Sequence, residues 1–466
     1  MTNVSDGKAF YQKFCNPLSP GAGADEDSAD SPMDAQSAAV RLPGYPTPIL
    51  MSNDSTVTAY YLSGEGYEDV AVLYVNGFQP QLPPIFQKTV DRFIAMCKED
   101  GKNKIIIDLQ LNGGGYIFQG FDMYRQFFPT VEQDGFNRWR ENPQFNAAAE
   151  IISDAVANLN PLTSDNEDLI NYWESWWNYR YDLNETDHHF ESFAAKFAPR
   201  IFKGDPHTAN MKWDFTDKLT TTNETFGMGM EITGYGGRAN LTQPFPATHI
   251  IMLTDGYCAS TCSLFQSAMK WQGNVRSVVF GGRPNRNQMN TVGGVKGAQV
   301  LSFYSVYNAT RELVRLNGNI TRVSAAQAAA INKLSLLPFN RSTSARINVR
   351  DAILRQNLKD GTPAQFVFEP ADCRLFFTLD MHMDVSNMWK AAADSAWKGK
   401  PCVSGAGFTE VINKRSPAEE AQLKKLAKRA AQRATVTVTV KDIPKEQASF
   451  DWERIRQRYN QKVKIF

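Results

Sequence analysis

Two apolar runs, each ending in a turn of small residues, limit the fold most strongly. Lys104-Ile-Ile-Ile-Asp108 runs through Leu-Gln-Leu-Asn into three consecutive glycines, Gly113 to Gly115. His249-Ile-Ile-Met-Leu-Thr254 runs through Asp-Gly-Tyr-Cys-Ala into Ser260. Short apolar runs bounded by turn residues read as buried strands. After Ser260 the period changes: Leu264, Phe265, Ala268 and Met269 recur at helical spacing as far as Trp271. Ser260 therefore falls at a strand-to-helix turn. The amide of Thr261 then sits at a helix N-terminus and points toward any oxyanion formed there. A nucleophilic serine needs that arrangement, although serine is also a favoured helix cap. The glycines can bring bare N–H groups up to a ligand, or simply make a tight turn.

The rest of the chain fits around these runs. Asp69-Val-Ala-Val-Leu-Tyr-Val75 reads as a buried strand, and Leu82 to Asp100 as a helix with Phe86, Val90, Phe93, Ile94 and Cys97 on one stripe. Strand, helix and strand in succession predict an α/β fold: a mixed sheet with covering helices. Residues 1–42 form an N-terminal segment and an acidic, Pro/Gly-bearing linker. Residues 43–116 and 246–405 form the two parts of the core. Between them, 117–245 is a helical insertion rich in aromatics, among them Trp139, Trp173, Trp176, Trp177 and Trp213. Such a stripe reads as core before it reads as a ligand platform. The glycines of Gly227-Met-Gly-Met230 and Gly234-Tyr-Gly-Gly237 suggest a flexible loop near the site, a candidate lid. Residues 406–466 are a basic helical and strand tail, opened by the capping box Ser416-Pro-Ala-Glu419. The basic face at Lys424, Lys425, Lys428 and Arg429 reads as solvated or as facing an acidic partner.

The 466 residues carry 50 Lys and Arg against 49 Asp and Glu. This balance gives no bulk electrostatic case for nucleic acid or a membrane surface. No run of about 18 apolar residues is present, so no transmembrane helix is expected. Sequons begin at Asn3, Asn53, Asn184, Asn223, Asn240, Asn308, Asn319 and Asn340. Chance alone gives roughly three or four in this length, which points to the secretory pathway. The six cysteines are an even set. Cys258 and Cys262 lie within reach on a helix-like turn, and at least one disulfide is expected. The first residues are not a signal peptide, so a further N-terminal part is expected. No metal or cofactor motif is present. Asp187-His-His-Phe190 makes a poor chelate, because adjacent side chains point apart.

Together the two turns resemble the tail-specific, or C-terminal-processing, serine proteases (serine peptidase family 41). Asp108-Leu-Gln-Leu-Asn-Gly-Gly-Gly115 stands where that family carries Asp-Leu-Arg-x-Asn-x-Gly-Gly. Cys258-Ala-Ser-Thr-Cys-Ser263 stands in place of its Ser-Ala-Ser-Ala-Ser-Glu nucleophile turn, and Val278-Val-Phe-Gly-Gly-Arg-Pro284 resembles its Val-Val-Gly-Glu-Pro segment. The 362–378 stretch is similar to the fungal secreted branch related to the chlamydial protease-like activity factor. The resemblance implies a crotonase-like core and a serine endopeptidase acting on peptides or proteins, with processing of a precursor peptide as one role. It implies Ser260 as nucleophile and amides of Gly114, Gly115 and Thr261 around the oxyanion. It implies Glu369 as the carboxylate of a Ser/His/Glu set, against an ordinary strand-end carboxylate. Cys373 and Cys402, near that carboxylate, are a candidate disulfide pair. No cofactor is implied, and the oligomeric state, a dimer included, stays open.

The general base is the gap. Bacterial members place a lysine about 25 residues after the serine; Asn285 stands there, and Lys296 lies eleven residues further on. The Asp-Gly-His motif of the chlamydial-type branch does not occur, and none of the five histidines has motif support. A serine hydroxyl is a weak nucleophile without a base. The chain alone is therefore expected to be weak or inactive, with a non-catalytic peptide-binding relative as the competing class. Gly256-Tyr-Cys-Ala-Ser260 does not fit the Gly-x-Ser-x-Gly elbow of the α/β hydrolases.

Overall fold

The computed structural model describes residues 44–293, 296–333, 345–408 and 416–457. The acidic linker and Cys15 lie outside them. One sheet organises the molecule: β1 (Leu50–Ser52), β2 (Val57–Tyr61), β3 (Val70–Val75), β4 (Lys104–Asp108), β5 (Ile250–Thr254), β6 (Arg276–Phe280), β7 (Cys373–Leu375) and β8 (Val436–Val438). Their spatial order is β7-β6-β5-β4-β3-β2-β1-β8. Neighbours from β3 to β7 are parallel, β2 is antiparallel to β1 and β3, and β8 is parallel to β1.

The central strands are apolar throughout because both faces are covered. Ile105 and Ile107 face α1 (Pro83–Glu99), α2 (Ile117–Phe127) and α3 (Thr261–Trp271). Ile106 faces the other way, with Met388 and Trp389 of α4 (Val385–Trp397). This is the two-residue alternation of a strand read on two buried faces. Helix α1 opens on Pro83 and Pro84, where no amide is needed. The expected α/β architecture, a mixed sheet with covering helices, is the one observed.

The C-terminal residues are part of this sheet. Leu50, Met51 and Ser52 pair with Val436, Thr437 and Val438. Helix α5 (Pro417–Ala430) lays Leu423 and Leu426 against Gly101. Of the basic face, Arg429 reaches Asp100 at 3.4 Å, joined there by Arg433 at 3.0 Å, while Lys424, Lys425 and Lys428 are exposed.

The insertion is not closed on itself. Its strand Asn137–Trp139 pairs with Arg346–Ala352, which pairs with Gln299–Ser302. Residues 299–333 and 345–352, expected in the core, thus build a second layer with the insertion. Tryptophans fill it: the rings of Trp139 and Trp176 stack at 4.8 Å and Trp177 is buried beside them. At its centre Asp182 accepts from Lys196 Nζ at 2.7 Å and pairs with Arg350 at 3.0 Å, all three side chains buried.

The glycine-bearing loop is not a free lid. Met228, Met230 and Ile232 are buried. The buried carboxylate of Asp122 on α2 accepts from Thr233 N and Thr233 Oγ1 at 2.8 Å, from Gln87 Nε2 at 2.8 Å and from Gln126 Nε2 at 2.9 Å. Alternating apolar residues between glycines carry more weight here than backbone freedom. Asp122→Ala leaves these donors unsatisfied and is expected to lower stability by about 3 kcal/mol. Urea denaturation measures this, and tryptic cleavage at Arg238 should quicken. A change within about 0.5 kcal/mol would show that the carboxylate does not anchor the loop.

Candidate active site

Strands β4 and β5 are parallel neighbours, with Asp108 opposite Leu253, so their C-terminal ends emerge side by side. In open α/β sheets this edge is where ligands bind. Leu109 N continues the ladder to Leu253 O at 2.9 Å, and the strands then part. Asn112 pins the glycine turn. Its Nδ2 donates to Val75 O at 3.0 Å, its Oδ1 accepts from Gly114 N at 2.9 Å, and its carbonyl accepts from Ala259 N at 3.3 Å. Gly114 has φ of 103°, and a Cβ there would lie 2.7 Å from Ser260 Cβ and 2.8 Å from Thr261 N. A Cβ on Gly115 would lie 2.3 Å from the Phe78 carbonyl carbon. Thr261 Oγ1 donates to Gly115 O at 2.6 Å and latches the two turns together. Glycine is required here by close approach, not by turn propensity alone.

Ser260 is half-buried with φ 52° and ψ −126°. A non-glycine residue held there costs about 1–3 kcal/mol and persists only where its surroundings fix it. It begins α3, yet its side chain makes no capping hydrogen bond. The cap alternative therefore does not describe this serine. Two restraints flank it: Ser263 Oγ donates to the Ser260 carbonyl at 2.6 Å, and a disulfide joins Cys258 to Cys262. A second disulfide joins Cys373 to Cys402, while Cys97 is a buried thiol.

Two carboxylates shape the edge. Asp108 is buried, accepts from Trp389 Nε1 at 2.7 Å and Gln110 N at 3.0 Å, and ties the end of β4 to α4. Burial pushes its carboxyl up to about 6, against the opposing pull of the Trp389 and Gln110 hydrogen bonds. Asp255 accepts from Leu111 N at 3.0 Å and Tyr257 N at 2.9 Å, joining the two turns from the outer side. Sequence reasoning passed over Asn112 and Asp255. Their signal was present, since each precedes a glycine, the dipeptide in which an Asx side chain bonds its own backbone two residues on.

The structure does not bring Glu369 to Ser260. Glu369 lies in irregular chain before β7, not on a strand. Its carboxylate accepts from Ser267 Oγ at 3.3 Å and Trp271 Nε1 at 2.9 Å, and meets Lys296 Nζ at 3.1 Å. Ser267 is seven residues along α3, about 10 Å from its start. Lys296 goes with Glu369 and also donates to Val367 O. Asn285 is held by Arg374, whose Nη1 meets its carbonyl at 3.0 Å. His249 bonds Asn103 O at the opposite edge of the sheet, His188 and His189 are exposed on the insertion, and His207 packs on Phe202. His382 is exposed between β7 and α4. Among the described residues no histidine, lysine or carboxylate hydrogen-bonds Ser260 Oγ, and no cluster of His, Cys, Asp and Glu is placed to hold a metal ion. No helix among them is long and apolar enough to cross a membrane.

Known proteins are similar to this chain. The model of Peptidase family S41 matches residues 69–292, a span that contains both turns. The Peptidase S41 family protein ustP of Aspergillus flavus is 31% identical over 377 residues, covering 77% of this chain and 75% of that protein. The Peptidase S41 family protein phomP1 of Diaporthe leptostromiformis is 27% identical over 453 residues, and the match covers 85% of this chain and 63% of that relative's length. Among solved structures, mature CPAF complexed with lactacystin aligns at a TM-score of 0.38 and 14% identity, over 75% of this chain and 56% of that one. A putative peptidase from Parabacteroides merdae aligns at 0.33 and 12%, over 76% and 65%. By its identity to ustP over three quarters of both chains, and by the family match across the two turns, this chain belongs to peptidase family S41.

Proposed function

We propose that the protein is a serine-type endopeptidase of peptide or protein substrates, with Ser260 as nucleophile. One observation carries this: an uncapped serine at positive φ, packed against a glycine turn close enough that Gly114 admits no side chain. Ser260 Oγ attacks the scissile carbonyl, and backbone amides stabilise the oxyanion. The Gly114 amide is committed to Asn112 Oδ1, which leaves Gly115 and Thr261 as the donors and gives Gly114 the task of close approach. Glu369 takes the place of counter-charge to Lys296 and acceptor to Ser267 and Trp271 of α3. The two disulfides support a secreted protein, since such bonds persist in oxidising compartments. Processing of a precursor peptide is the role this reading favours.

The experiment is hydrolysis of casein by this chain and by Ser260→Ala. With no base bonded to the serine, the expected rate is slow, about 10³–10⁴-fold above water, and is lost in the variant. Equal hydrolysis by Ser260→Ala would sink the assignment. Casein binding without any serine-dependent cleavage would favour a non-catalytic peptide-binding relative, the reading to which the unaccompanied hydroxyl points.

A further inference from the structure

We infer that the Cys258–Cys262 disulfide is a positioning element that holds Ser260 in its attacking conformation. This rests on Ser260 being the nucleophile. A serine at the start of a helix has a competing fate: extended backbone and a hydroxyl that accepts from an amide of the first turn. Every other serine that begins a helix of eight or more described residues does this; Ser302, Ser324 and Ser416 accept from Ser305, Gln327 and Glu419 amides. Ser260 alone among them has positive φ and an uncapped side chain. A capped hydroxyl points back into the helix and is lost as a nucleophile.

The disulfide is placed to prevent this. Its half-cystines sit two residues before and two after Ser260, with Cα atoms 5.3 Å apart. Both are fully buried in the core under the sheet, beside Phe265 and Met252. The closed ring fixes the separation of the chain entering and leaving residue 260, so the residue between cannot relax toward extended backbone without moving a buried bond. A ring this short gives less general stability than a long one, because the closure entropy removed from the unfolded chain grows with loop length. Cys373–Cys402, with a separation of 29, is the bond suited to that task. The short ring therefore acts locally, on Ser260.

The test compares two double variants of the full chain. Cys258→Ser with Cys262→Ser should lower kcat about 10²-fold at unchanged KM, the cost of misplacing a reacting group by about 1 Å. Cys373→Ser with Cys402→Ser should lower the thermal midpoint more and leave kcat unchanged. Since the first pair is buried, Cys258→Ala with Cys262→Val serves if the serines unfold it. A crystal structure of the first variant gives a readout independent of turnover: Ser260 should move to negative φ with its hydroxyl on the Ser263 amide. Retained positive φ, or a kcat equal to wild type, overturns the proposal while Ser260→Ala still silences the enzyme. Full activity in Ser260→Ala overturns the nucleophile instead, and the φ of Ser260 still decides whether the bond sets its conformation.

Discussion

Gly114→Ala is expected to cut Ser260-dependent hydrolysis by about 10²–10³-fold, because forcing the turns apart takes the Gly115 amide away from the oxyanion and losing one donor has that effect. The new methyl group would lie 2.7 Å from Ser260 Cβ and 2.8 Å from both Ala259 O and Thr261 N. Two of these are backbone atoms, so no side-chain rotation relieves the clash. Positive φ at residue 114 adds strain for any side chain. The turns must separate, and the latch from Thr261 Oγ1 to Gly115 O must stretch with them. The core strands lie behind this edge, so circular dichroism should stay close to wild type while kcat falls. Gly204→Ala is the control for backbone strain alone, since its φ is also positive, at 88°, but a Cβ there meets nothing within 4 Å. Unimpaired turnover in Gly114→Ala would mean that the approach of the two turns does not serve catalysis.

The largest expected loss of stability comes from Asp182→Ala. Asp182 is the shared carboxylate of two buried cations, Lys196 and Arg350. Lys196 Nζ also donates to the carbonyls of Trp176 and Asn178, and Arg350 Nε donates to Asn137 Oδ1 at 2.5 Å. Carbonyl dipoles solvate these cations only in part. Removing one member of a buried ion pair costs about 3–5 kcal/mol, because the uncompensated charge remains. Two cations are stranded here, so the upper end is expected. Tryptophan fluorescence is the natural probe, since Trp139, Trp176 and Trp177 lie in the same layer. Unfolding in urea should begin at lower concentration by that probe. A midpoint within experimental error of wild type would show that water or a neighbour takes over the carboxylate's place.

Much of this protein was legible in its residues. The buried strands at 70–75, 104–108 and 250–254, the helix stripe at 86–97 and the strand-to-helix switch at Ser260 follow from local periodicity, which the chain sets within a few residues. Gly114, Gly115 and Thr261 were placed beside Ser260 by two motifs at the ends of strands that had to be neighbours. Only the tertiary structure decided the rest, because those facts depend on contacts between distant segments. Val436–Val438 reads as a tail strand until it pairs with Leu50–Ser52, and 117–245 reads as a helical insertion until Asn137–Trp139 pairs with 346–352. Glu369 could be matched to a motif, but its partners, Ser267 and Trp271 on α3 and Lys296 beyond it, come from two other segments that meet it only in the fold. The glycine-bearing loop was misjudged because backbone freedom is a local property, whereas the two hydrogen bonds from Thr233 to Asp122 join distant parts of the chain. Composition could suggest that Ser260 is either a cap or a nucleophile. The tertiary structure adds an uncapped side chain at positive φ, beside a glycine turn brought to it from another part of the chain.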